Sequence, residues 1–220
     1  MHVALIGASG FVGSHILAEL VTRGHEVTAI ARHLQNLPAP LKTHTLVHLH
    51  KADASREKEL APALEAEDAV ISAFNGGWTN PDLYEAYMEG ATNIEQSVAA
   101  AGIKRLIVIG GAGSLYDNSG HQLVDSPDFP KAFFAGASAA RDYLHQLQKN
   151  TTLDWTFVSP AIEMNKTTAG VRRGHYRTGL DHPVFDTQGR SAISIEDLSM
   201  AIVDELEHPR FIRQRFTAAY

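Results

Sequence analysis

The sequence predicts an α/β fold: a doubly wound parallel sheet with a small irregular C-terminal part. Three observations predict it. An apolar run, His2 to Ile6, leads into glycines at 7, 10 and 13 and then into a helical pattern. Strand-like and helix-like segments alternate six times, which right-handed crossovers turn into a parallel sheet with helices on both faces. The chain has 220 residues, 44% hydrophobic and 20% charged, enough to bury one sizeable core, so residues 1–220 are taken as a single domain.

Each element has its own signal. The first helix is expected from Phe11 to Arg23, with Ile16, Leu17, Leu20 and Val21 as its apolar stripe and Gly24 at its end. Glu26–Ala31 make the second strand, ending at Arg32. Pro38 and Pro40 mark a loop with little regular structure. Thr45–His50 make the third strand, with Asp53 just beyond it, and Lys58–Glu65 a short helix. Asp68–Phe74 are the fourth strand, running into Asn75-Gly76-Gly77. Asn80 is expected to cap a long helix with Pro81 at its first position, continuing to about Ala101 and stopping at Gly102.

Lys104–Ile109 are the fifth strand, followed by Gly110-Gly111-Ala112-Gly113-Ser114. After a loop over 118–129, a helix is expected from Pro130 to Lys149, with Phe134, Ala137, Tyr143, Leu144 and Leu147 on its inner side. Asp154–Ser159 are the sixth strand. Periodicity then fades, and residues 161–190 read as loops with a short hairpin or strand pair. Ser191–Ile195 are expected as a short strand. Ser194 is placed to cap a helix from Ile195 to Glu207, with Glu196 and Asp197 favourable in its first turn. Arg215–Ala219 close the chain as a last strand.

Composition excludes several function classes. There is no cysteine, so disulfides, thiolate metal sites and a cysteine nucleophile are absent. The net charge of −6 argues against a general nucleic-acid binder, which needs a basic face. No apolar run approaches the roughly 18 residues that read as a membrane span. No basic leader is visible, so a cytoplasmic location is expected. His44, His48 and His50 would share one face of a strand, but no carboxylate joins them at ligand spacing; solvated or half-buried histidines are expected there, and no metal.

In a doubly wound sheet, ligands sit beyond the carboxyl ends of the strands. The informative residues are therefore those just after each strand. A buried strand, a glycine-spaced turn and a helix start form a diphosphate site, because the first helical N–H groups are unpaired and lie at the positive end of the helix dipole. Gly7 allows the tight turn, Gly10 lets the backbone approach a pyrophosphate, and Gly13 lets the helix pack on the strand. The same spacing would also serve a turn that merely packs a helix. The second strand ends in Arg32-His33, without the acidic residue that would accept ribose hydroxyls. Arginine offers a planar fork of donors to a 2′-phosphate and can stack on adenine, so NADP(H) is preferred over NAD(H). Asp53 has two readings: acceptor for the adenine amine, or cap of the following helix.

Gly7-x-x-Gly10-x-x-Gly13, Arg32, Ser72-Ala73-Phe74-Asn75, Gly110-Gly111-Ala112-Gly113-Ser114 and Asp154-Trp155-Thr156-x-Val158-x-Pro160 together resemble the atypical short-chain dehydrogenase/reductases of Rossmann type. The chain is most similar to the small NAD(P)H-binding proteins often labelled NADH-flavin reductases, relatives of NmrA-like and biliverdin-reductase-B-like proteins. The resemblance covers nearly the whole chain. It implies cofactor contacts at Gly7, Ser9, Gly10, Phe11, Val12 and Arg32, and again at Ala73, Phe74 and Asn75. It also implies that Pro160–Met164 lie near the nicotinamide and that the irregular stretch, about 161–193, covers the substrate.

The Tyr-x-x-x-Lys pair of typical members is missing. Four residues after Tyr84, Tyr87, Tyr116, Tyr143 and Tyr176 come Met88, Ala91, Gly120, Leu147 and Leu180. That counts against a typical alcohol dehydrogenase, epimerase or dehydratase, whose chemistry needs a tyrosine proton. Hydride transfer to a flavin or quinone does not need it, because the acceptor ring tolerates charge and water supplies protons. Ser114 falls where family members carry a catalytic serine or threonine; its other reading is a small turn residue. Two functions follow: a reductase of a flavin, quinone or similar small aromatic acceptor, or a non-catalytic NADP(H) sensor of NmrA-like type. The sequence does not set the oligomeric state.

Overall fold

A computed structural model describes all 220 residues. The first half contains β1 (His2–Ile6), α1 (Phe11–Thr22), β2 (Glu26–Ala31), the one-turn α2 (Ala39–Lys42), β3 (Val47–Lys51), the one-turn α3 (Glu57–Leu60), β4 (Ala69–Ser72) and α4 (Leu83–Ala100). The second contains β5 (Arg105–Ile109), α5 (Lys131–Leu147), β6 (Asp154–Val158), β7 (Arg177–Gly179), α6 (Ile195–Glu207) and β8 (Gln214–Ala219). They build one eight-stranded sheet in the order β3-β2-β1-β4-β5-β6-β8-β7. All pairs are parallel except β7 with β8. The order reverses between β1 and β4, so the crevice of a doubly wound sheet opens there.

Alternation along the strands feeds two cores. Val3 and Leu5 of β1 pack with Ile16, Leu17 and Leu20 of α1 and Leu198 and Ile202 of α6. Ala4 and Ile6 point the other way, toward Tyr87 and Ile94 of α4 and Tyr143 and Leu144 of α5. α1 ends as expected: Gly24 takes φ +81°, its N–H donates to the Val21 carbonyl, and the His25 N–H donates to Leu20. The cap of α6 also stands, with the Asp197 N–H donating to Ser194 Oγ at 3.1 Å.

Five expectations need correction. α4 begins at Leu83 with Asp82 as its N-cap, because Asn80 captures the Asp82 N–H at 3.0 Å in a separate turn just before the helix. Phe134 is 50% exposed, while Gly136, Ala139 and Ala140 join Tyr143 and Leu144 in facing inward. Residues 191–195 make a single bridge, Glu163 to Ala192, and no strand. The proline loop at 38–40 contains the short α2. In the irregular part only β7 is regular, and its partner is the distant β8 rather than a neighbouring strand.

Candidate functional site

The glycine turn lies at the carboxyl end of β1, between β2 and β4. Gly7 adopts φ +80°, and its N–H donates to the Ile30 carbonyl at 2.9 Å. A Cβ there would lie 2.4 Å from the Ala73 carbonyl oxygen, so the turn is pressed against the end of β4. A Cβ on Gly13 would lie 2.2 Å from the Gly7 carbonyl oxygen, so this glycine lets α1 close on the turn. Gly10, the N-cap of α1, is exposed and has only the Gly7 carbonyl oxygen near, at 3.3 Å. No side chain caps α1, and its first turn carries no carboxylate. The helix start therefore presents free N–H groups beside open space, as an anion requires.

A cleft of about 260 Å³ opens from this turn. Gly7, Ser9, Gly10, Arg32, Ala73, Phe74 and Asn75 are among the residues that line it. Phe11 and Val12 do not line it; their side chains pack on the core, and only their backbone N–H groups are available at the helix start. Phe74 is held by α4, since its ring fills the space over Gly90 and lies 6.0 Å from the Tyr87 ring. Asn75 accepts the Gly77 N–H at 2.8 Å, fixing the turn after β4.

Arg32 is exposed and is shared with a smaller adjoining cleft of about 110 Å³, which also contains Asp53, Ser55, Gly76, Asn80 and Glu89. Asp53 does not cap α3, whose N-cap is Arg56. Its Oδ1 accepts the Ser55 N–H at 3.0 Å and the Ser55 hydroxyl at 2.9 Å, while Oδ2 is left over. Burial raises its carboxyl pKa, but the Ser55 bonds with Arg32 and Arg56 outweigh that and hold it below the usual value. It is an ionised acceptor beside a free guanidinium. Glu89 and Asn80 were not foreseen, because a carboxylate on a helix face or an asparagine in a turn has no pattern that marks it.

Ser114 is fully buried. Its hydroxyl donates to the Gly111 carbonyl at 2.8 Å and lies 2.9 Å from Ser159 Oγ, and its carbonyl accepts Gln122 at 2.9 Å. This is the turn-residue arrangement: the hydroxyl is spent inside the protein. The start of α5 exposes Phe133 and Phe134. Trp78, from the loop after β4, meets Phe133 edge to face at 5.6 Å.

The irregular segment is strapped over the opposite face. Arg172 pairs with Glu19 of α1. The N–H groups of Arg173 and Gly174 donate to Asp197 at 2.8 and 2.9 Å. The Arg173 guanidinium lies 3.8 Å from the Tyr220 ring centre. His48 and His50 lie on β3, but His44 precedes it in a turn, where its carbonyl accepts the Val47 N–H, so the three do not share one strand; no three His, Asp or Glu side chains come together at metal-binding distance. No helix is long and apolar enough to cross a membrane.

A family model described as NAD(P)H-binding matches residues 7–209. The chain is 35% identical over 223 residues to the uncharacterized protein YwnB of Bacillus subtilis, covering 99% of this chain and 97% of that one. A solved structure of a "putative epimerase" from Bacteroides thetaiotaomicron superposes with a TM-score of 0.89 at 40% identity, over 100% of this chain and 96% of that one. A "putative NADH-flavin reductase" from Streptococcus pneumoniae superposes with a TM-score of 0.85 at 35% identity, over 100% and 99%.

Proposed function

This chain belongs to the NAD(P)H-binding family, among the atypical short-chain dehydrogenase/reductases, and on that premise we propose that it is an NADPH-dependent reductase of a flavin, quinone or similar planar acceptor. What supports this reading is the cleft at the carboxyl end of β1, lined by Gly7, Ser9, Gly10 and Arg32, together with a sequence that has no Tyr-x-x-x-Lys pair. A bound NADPH would supply the hydride, and solvent the second proton that a flavin or quinone takes up. The chain's own part is to hold and orient. The free N–H groups of α1 and the open Gly10 receive the diphosphate, with Ser9 beside them. Ala73, Phe74 and Asn75 form the wall toward the ribose. Arg32 receives the 2′-phosphate, and Asp53 Oδ2 accepts from the adenine amine.

The test is direct. Purified protein is mixed with NADPH and FMN, riboflavin or a quinone, and absorbance at the nicotinamide band is followed. Acceptor-dependent oxidation is expected. Tight NADPH binding with no acceptor-dependent oxidation would replace the reductase by the sensor. For the cofactor, Arg32→Ala is expected to weaken NADPH about 10- to 100-fold, since a hydrogen bond to a charged group contributes about 1.5–3 kcal/mol. NADH should barely change. Equal losses for both nucleotides would remove the NADP preference.

A further inference from the structure

We propose that His33 couples cofactor choice to pH: its imidazole takes up a proton as the 2′-phosphate of NADPH enters, so the preference for NADPH over NADH grows as pH falls. His33 follows Arg32 at the end of β2, and both line the cleft of about 260 Å³, together with Asn36. Residues 34–36 form a single 3₁₀ turn, in which the Asn36 N–H donates to the His33 carbonyl at 3.1 Å. In such a turn residues three apart stand on one side. Leu34 packs on the core and Leu37 is buried, which anchors the inner side. His33 and Asn36 are left on the open side, both exposed and both in the wall of the cleft.

The charges around the imidazole decide what it can do. No Asp or Glu lines this cleft. His2, His15 and His25 lie against carboxylates, at 3.0, 3.8 and 2.8 Å, whereas His33 has none. Its side-chain neighbour is the neutral Gln35 amide, 3.5 Å from Nδ1. Lys42 of α2 donates to the Gln35 carbonyl at 2.8 Å. On β3, His50 and Lys51 are in register with Ile30 and Ala31, and neither lines the cleft. The carboxylates of Asp53 and Glu89 line the smaller cleft that shares Arg32. Among the side-chain types in the wall of the larger cleft, imidazole alone changes charge between about pH 5 and 8, while guanidinium keeps its proton throughout. A phosphate dianion placed there is the opposite charge that draws a proton onto an imidazole. NADH makes every other contact and lacks that group.

This coupling rests on the NADPH reading of the Arg32 cleft, and one experiment keeps the two apart. NADPH and NADH are titrated into the natural protein, His33→Gln and His33→Lys by calorimetry at pH 7.5, in buffers of different ionisation enthalpy, which counts the protons taken up. A phosphate monoester, with its second pKa at about 6, is already a dianion at that pH, so the uptake reports the protein. The natural protein is expected to take up roughly 0.2–0.4 of a proton with NADPH and none with NADH. His33→Gln should abolish the uptake. His33→Lys, a permanent cation, should also abolish it while holding NADPH at least as tightly as the natural protein. Between pH 8.5 and 7.0 the ratio of NADPH to NADH affinity should rise about two- to threefold in the natural protein, the gain of an exposed ion pair, and stay flat in both variants. Selective NADPH binding without proton uptake, or with uptake that survives in His33→Gln, would overturn the role of His33 and leave the NADPH preference standing. Equal affinity for the two nucleotides across this range would overturn the preference and the coupling together.

Discussion

A methyl group on Gly13 would strike the Gly7 carbonyl oxygen at 2.2 Å, whereas on Gly10 it would come no closer than 3.3 Å to any protein atom outside the adjoining residues. The two glycines therefore do different work. Gly13→Ala is expected to lower stability by about 1–3 kcal/mol, as overpacking does, seen as an earlier thermal transition. Gly10→Ala should unfold near the natural temperature yet bind NADPH much more weakly in calorimetry, because the methyl occupies the space of the ligand. The reverse pattern would contradict this division. Ser114→Ala should cost about 1 kcal/mol in denaturant unfolding, the loss of one buried hydrogen bond, and leave turnover intact. Lost turnover at full stability would restore its catalytic reading. At this scale the sequence shows which backbone positions need glycine, because the turn constrains them from both sides. It does not show the inward direction of the Ser114 hydroxyl, which depends on Ser159 and Gly111 arriving from other parts of the fold.

α6 shows how one helix start can organise distant chain. The Asp197 carboxylate accepts the N–H groups of Arg173 and Gly174 and the Tyr220 hydroxyl, the last at 2.5 Å. Burial raises its pKa, but these bonds, with Ser194, outweigh that and depress it below the ordinary 3.8. A depressed carboxyl pKa means that the folded state binds the proton less readily than the unfolded chain. The stabilisation is thus complete above the unfolded value and is lost as pH falls through it toward the folded value. Asp197→Asn is expected to cost about 2–3 kcal/mol at neutral pH and to flatten the loss of stability below pH 4, measured by denaturant unfolding across pH. An unchanged acid limb would refute the assignment. Ser194 as a cap was readable locally, since it precedes an apolar period and two acidic residues. Asn80 was not, because an asparagine before Pro-Asp fits a cap and a separate turn equally well. The partner of β7 was not readable either, because its neighbour lies some 40 residues away and only tertiary packing brings them together.

The molecule separates stability from ligand contact along the strand axis. Arg105, at the amino end of β5, donates to Glu205 Oε1 at 2.8 Å and to Thr156 Oγ1 at 2.8 Å, while Glu205 also accepts the Arg210 and Phe211 N–H groups. This joins β5, β6, α6 and the entry to β8 at the edge opposite the cleft. Arg105→Met leaves a buried carboxylate without its partner and is expected to cost about 3–5 kcal/mol in denaturant unfolding with NADPH affinity preserved. Matching losses in both would break the separation. The doubly wound parallel sheet was readable because alternating elements and right-handed crossovers leave few topologies, whereas the reversal between β1 and β4 is seen only in the strand order itself. The shape of the irregular part was not, since its contacts are long-range ion pairs such as Arg172 with Glu19. Finally, the chain has only two tryptophans, and they lie in unlike surroundings: Trp78 is 59% exposed, while Trp155 is 2% exposed and donates to the Asn150 carbonyl. The protein thus carries two built-in optical probes. Iodide should quench the emission of one and not the other, and a Trp78→Phe background would turn intrinsic fluorescence into a report on folding alone.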